Sequence, residues 1–124
     1  MAQHLTQELP RETWQSYFDD FSRRIGTVEA TIEVEGRDIG AQIEAEEVVL
    51  TGISYDSKDD VLVIGLDVPG GLPEEGERMI SGPQRIFVEG VIAEEGMAIA
   101  VDDAEGHRTI VTLVRPPALP PAGD

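Results

Sequence analysis

The chain has 124 residues, 40% of them hydrophobic, and sets 25 Asp and Glu against 9 Lys and Arg, for a formal net charge of −16. That balance argues against a surface for nucleic acid or anionic membrane, because phosphate recognition relies on clustered Lys and Arg that release counterions. The absence of cysteine removes disulfides and thiolate zinc sites, and the length fits one domain with its own core.

The opening residues MAQHLTQELP lack the basic start and apolar run of a signal peptide, and no stretch approaches the roughly 20 apolar residues that span a bilayer. A soluble cytoplasmic protein is expected. Residues 1–25 hold four acids and three bases, so residues 26–124 carry −15 of the charge.

Pro10 suits the first turn of a helix, and Trp14, Phe18, Phe21 and Ile25 recur at helical spacing behind it. Asp19 with Arg23 and Asp20 with Arg24 are spaced one turn apart in the favourable acid-first order, and Gly26 is a natural stop. The period then changes to two. Val28, Ala30, Ile32 and Val34 alternate with Glu29, Thr31, Glu33 and Glu35, and the run from Ile39 to Glu46 repeats the pattern. A two-residue turn at Gly36-Arg37 would set Val34 opposite Ile39, Ile32 opposite Ala41 and Ala30 opposite Ile43. The same register stacks Glu29 on Glu44 and Glu35 on Asp38, and like charges facing each other across strands are destabilising.

The phase slips at Glu46-Glu47, as at a bulge, and the strand runs on to about Tyr55. Residues 56–60 form a polar turn, and the apolar run Val61 to Leu66 is expected to be central and covered on both faces. Residues 69–76 are a Gly- and Pro-rich loop. Met79-Ile80 and Ile86 to Ile92 resume strand character on either side of Ser81-Gly82-Pro83, which should kink the chain. A three-residue loop, Ala104 to Gly106, sets Met97 opposite Leu113, Ile99 opposite Val111, Val101 opposite Thr109 and Asp102 opposite Arg108. Residues 1–114 make a single domain, and residues 115–124, RPPALPPAGD, read as an extended polyproline-like tail.

The segments LPRETWQSYFDDFSRR, GAQIEAEEVVLTGISYD and DDAEGHRTIVTLVRPPALP, in that order, resemble a family of small bacterial proteins classed as a domain of unknown function. The resemblance spans nearly the whole chain and implies no reaction, cofactor or site residue.

Chemistry-bearing residues are sparse. The two histidines are His4 at the terminus and His107 at a hairpin tip opposite Asp103, a poor setting for general acid–base work. Glu89 draws attention because Phe87 and Val91 share its face. Asp56, Asp59 and Asp60, or Asp102, Asp103 and Glu105, offer hard oxygen ligands without the spacing of an EF-hand, and no phosphate-loop motif occurs. No catalytic residue, metal or cofactor is assigned.

The expected fold is α+β: one N-terminal helix on a strongly curved, mainly antiparallel sheet of about six strands, with scope to curl into a partly closed barrel. The favoured function is a non-enzymatic acidic interaction module in which the face of Glu29, Glu33, Glu44 and Glu46 meets a basic protein. A small-molecule or enzymatic pocket between helix and sheet, near Tyr17, Tyr55 and Glu89, is the alternative. A third reading treats the acid as adaptation to high salt, with no partner. If one helix cannot cover the apolar strand 61–66, a homodimer would.

Overall fold

The computed structural model describes residues 6–68, 76–91 and 96–115. Eight strands and one helix follow in the order β1 (Thr6–Glu8), a 3-10 turn (Arg11–Thr13), α1 (Trp14–Arg24), β2 (Glu29–Gly36), β3 (Gly40–Asp56), β4 (Val61–Asp67), β5 (Glu77–Ser81), β6 (Pro83–Val91), β7 (Gly96–Asp103) and β8 (Arg108–Val114). The strands form one antiparallel sheet in the order β1-β6-β7-β8-β2-β3-β4-β5. It is larger than the six strands expected, because Thr6–Glu8 adds an edge to β6 and the kinked segment resolves into β5 and β6. The pairing does not close into a barrel. Instead Gly82, in a left-handed conformation (φ 64°), joins the edge strand β5 directly to β6 near the opposite side. Its N–H donates to the Asp60 carbonyl at 2.9 Å, and its own carbonyl accepts from the Ala104 N–H at 3.1 Å. The expected kink is therefore the corner at which the chain passes between the two flanks.

The helix buries the predicted stripe, Trp14, Phe18 and Phe21, with Ile25 beyond its end. Burying such side chains contributes about 1.5–3 kcal/mol each. Pro10 precedes the 3-10 turn, so α1 starts at Trp14, and Gly26 (φ 66°) lies just past its end. Asp20 pairs with both Arg24 (2.8 Å) and Arg23 (3.5 Å); the expected partnership of Asp19 with Arg23 gives way to this fork.

The first hairpin differs from its expected register. Gly36 pairs with Gly40 across three residues, Arg37 to Ile39, and Gly40 has φ 68°. Either glycine can supply a left-handed position, and the chain uses the second. Glu35 then faces Ala41, Glu33 faces Ile43, Ile32 faces Ala45 and Glu29 faces Val49. The stacks of Glu29 on Glu44 and Glu35 on Asp38 do not form, and Ile43 moves out of the core face to become 60% exposed.

The slip at Glu46-Glu47 is real: Glu47 has φ 51° and the ladder shifts register there. Beyond Leu50, whose N–H reaches Val28 (2.9 Å), β3 outruns β2. The helix takes over that vacated edge. The Ser22 hydroxyl donates to the Ile53 carbonyl (2.8 Å) and accepts from the Ile53 N–H (2.9 Å), satisfying two backbone groups that would otherwise lack partners. Strand β4 buries Leu62, Ile64 and Leu66 on one face only; Val61, Val63 and Gly65 on the other are half-buried, so the expected cover on both faces is incomplete. The last hairpin has the predicted register at all four pairs. No helix among the described residues is long and apolar enough to cross a membrane.

Candidate functional site

The acidic residues gather on the β2–β3 hairpin. Glu29, Glu33 and Glu35 alternate with the buried Ala30 and Ile32 and so face away from the core. Glu44 is the additional residue at the shift between the pairs Glu33–Ile43 and Ile32–Ala45, and its carbonyl accepts from Arg78 Nη2 at 3.0 Å. Glu46 falls in the second shift, beside Glu47, whose N–H bonds the Thr31 hydroxyl at 3.2 Å. The four predicted glutamates therefore share a hairpin but not one flat face. From Glu29 to Glu47 stand seven acids and one base, Arg37, with the exposed Ile43 among them.

The outer face of the neighbouring strands is organised in rows set by the ladder. One row is Phe87, Ala100, Ile110, Glu33 and Ile43; the next is Arg85, Asp102, Arg108 and Glu35, alternating in sign. Arg108 forks onto Asp102 at 2.6 and 2.9 Å, and Arg85 onto Glu8 of β1 at 3.1 and 2.8 Å. The guanidinium hydrogen bonds hold the Glu8 and Asp102 carboxyls below their ordinary range. Both guanidiniums also lie over the Phe87 ring, at 5.0 and 5.5 Å. A trough of about 370 Å³ results, with Ala98 and Ala100 as its floor and Phe87, Ile110, Arg108, Glu89 and Thr6 around it. Sequence reasoning missed the trough. Half of it was available in the last hairpin's register, which sets Ala100 opposite Ile110; the other half depends on how β6 pairs with β7.

The proposed pocket residues do not converge. Tyr17 is half-buried against Phe18 and Phe21 (centroids 5.1 and 6.2 Å), and burial raises its phenol pKa. Tyr55 lies in the core, edge-on to Trp14 at 5.1 Å. Its hydroxyl donates to Asp60 Oδ1 at 2.6 Å; burial first, and the Asp60 carboxylate second, push its pKa up. Glu89 sits on the outer face, accepting from the Thr6 hydroxyl at 3.3 Å, with the sheet between it and the core. Beside the helix there is an open groove of about 360 Å³, lined by Ser22, Gly52, Gly65 and Glu77 among others. Gly52 there accommodates Ser22, and the Thr51 side chain lies over Gly65.

His107 finds a different partner from the expected one. Its Nε2 lies 3.0 and 3.2 Å from the two carboxylate oxygens of Asp38, joining the tips of both hairpins, while Asp103 Oδ1 accepts the His107 backbone N–H at 3.0 Å. The acidic turns use their carboxylates internally: Asp56 caps the N–H groups of Lys58 and Asp59, and Asp103 also caps Glu105. Among the described residues no three His, Asp or Glu side chains group as metal ligands. His4 lies outside the described residues.

The family described as "Family of unknown function (DUF5335)" matches residues 5–122. An uncharacterized protein of Aquifex aeolicus (strain VF5) is 38% identical over 117 residues, covering 93% of this chain and 96% of that protein. No solved structure matches the chain.

Proposed function

The chain belongs to DUF5335, a family of unknown function, and on that premise we propose that it is a non-enzymatic binding module whose β2–β3 hairpin receives a basic, partly apolar segment of a protein partner. The supporting observation is Ile43: it is 60% exposed, paired with Glu33, on a hairpin with seven acids and one base. An exposed apolar side chain on a strongly acidic hairpin suits a partner of opposite charge, the anchor contributing affinity and the charges steering encounter. A cytoplasmic location suits a chain without cysteine.

The test is titration with a synthetic peptide alternating Lys and Leu, followed by amide chemical shifts at graded salt. The expected shifts are confined to residues 29–49, weaken as salt rises, and lose at least about five-fold in affinity in Ile43→Ala (about 1 kcal/mol) but not in Met79→Ala, the exposed apolar control on β5. Equal losses in the two variants, or shifts spread over all acidic turns, would show ordinary charge attraction and overturn the reading.

A further inference from the structure

A second surface, distinct from the acidic hairpin, has the form of a small-molecule site. We propose that the trough over Ala98 and Ala100 binds a small alkylammonium ion, its charged head on the Glu89 carboxylate and its apolar body along the alanine floor.

The trough follows from residue size. Ala98 and Ala100 stand on the outer face of β7 between longer side chains, Ala98 paired with Glu89 and Thr112, Ala100 with Phe87 and Ile110. Short side chains between longer ones leave a recess of about 370 Å³, the size of a small-ligand pocket. Its walls, β6 and β8, are two strand spacings apart, about 10 Å, which is too narrow to seat a helix about 10–12 Å across. A strand is excluded as well. β6, β7 and β8 are each paired on both sides, so an added strand would find no row of donors and acceptors. The recess therefore suits a slender molecule that binds through its own atoms.

The two ends of the trough differ in how their charges are met. At one end the Arg108 guanidinium, forked onto Asp102 at 2.6 and 2.9 Å, lies 5.5 Å from the Phe87 ring centroid and bounds that side. At the other end Glu89 is half-buried, and its Oε2 accepts from a neutral donor, the Thr6 hydroxyl, at 3.3 Å. That is long for an O–H···O bond, and a carboxylate has about four lone-pair sites to fill. Its neighbours in the ladder are the short side chains of Thr6 and Ala98. An ammonium head supplies the charge-assisted donors that a hydroxyl does not, and a net charge of −16 favours a cation over an anion. From the row of Glu89 and Ala98 to the row of Ala100 and Ile110 is two residues of strand, about 7 Å. The body that fits is thus a short alkyl chain, lying over the two alanines against Ile110 and clear of the Phe87 ring that Arg108 covers.

The experiment titrates the full chain, methyl-labelled at Ala and Ile, with n-pentylammonium chloride, and in parallel with sodium pentanoate and n-pentanol at equal ionic strength. Saturable shifts of the Ala98, Ala100 and Ile110 methyls are expected with pentylammonium and none with pentanoate. Affinity should fall about ten-fold in Glu89→Gln, which keeps the size of an outer-face side chain, and binding should be abolished in Ala98→Leu, which fills the recess. Ile43→Ala, which weakens the acidic hairpin's proposed contact, should leave pentylammonium binding unchanged. Equal binding of pentanol, undiminished affinity in Glu89→Gln, or shifts confined to residues 29–49 would overturn the proposal. So would movement of the alanine methyls by the Lys and Leu peptide but not by pentylammonium, which would assign the trough to a protein partner.

Discussion

The guanidinium of Arg11 donates to the Pro83 carbonyl at 2.8 Å while lying 4.5 Å from the Trp14 ring centroid and 3.4 Å from Asp60. One exposed side chain thus ties the segment before the helix to the corner where β5 becomes β6. Arg11→Ala is expected to cost about 1–2 kcal/mol in urea unfolding, combining a charged hydrogen bond with a partly solvated cation–π contact. Arg23→Ala, which loses only an exposed pair with Asp20, should stay within about 0.5 kcal/mol. Asp102 offers a pH-dependent test. Its carboxyl is held below the ordinary aspartate range, chiefly by the Arg108 hydrogen bond. A depressed folded pKa contributes stability that is present above the unfolded pKa and lost as pH falls through the folded one. The stability difference between the native chain and Asp102→Asn should accordingly be constant above about pH 5 and shrink below about pH 4; a difference that does not change with pH would show that Arg108 does not favour the charged form. Of these two partnerships only the one inside the last hairpin was legible in the sequence. Asp102 opposite Arg108 is a local register, whereas Arg11 and Pro83 are 72 residues apart.

Individual elements were legible wherever pattern and turn chemistry agreed. The helix stripe, the slip at Glu46-Glu47, the kink at Gly82 and the β7–β8 register all follow from periodicity and from a glycine in the required position. The β2–β3 hairpin did not, because Gly36 and Gly40 both permit a turn and the apolar match favoured the wrong one. Shifting a register by an odd number of residues transfers side chains to the opposite face, and here it removed the acid-on-acid stack and exposed Ile43. The free edge of β3 is likewise invisible locally, since nothing near Ile53 announces that Ser22 will complete it. Ser22→Ala leaves both Ile53 backbone groups without that partner and should cost about 1–3 kcal/mol. Ser16→Ala, whose hydroxyl bonds only the exposed Thr13 carbonyl, is the control, and thermal unfolding of the two variants separates them.

Across the whole molecule the acid outweighs the ion pairs available to balance it. Five arginines make side-chain ion pairs among the described residues, Arg11, Arg23, Arg24, Arg85 and Arg108, while a net charge of −16 opposes compaction. Melting temperature should rise as sodium chloride is raised from about 0.05 to 1 M, because the Debye length falls from over 10 Å to about 3 Å; a flat response would mean that the acids are too well solvated to strain the fold. Composition and local periodicity determined the acidity, the lack of thiol chemistry and the α+β class, since these follow from residue counts and from the spacing of apolar residues within each segment. Tertiary structure alone decided that the acid gathers on a hairpin without cross-strand stacking, that Glu89 lies across the sheet from the core, and that Phe87, Ala100 and Ile110 share a trough. The reason is physical. Such placements depend on which distant strands pair and in what register, and that is resolved by burial and hydrogen bonding summed over the whole sheet rather than by any one segment.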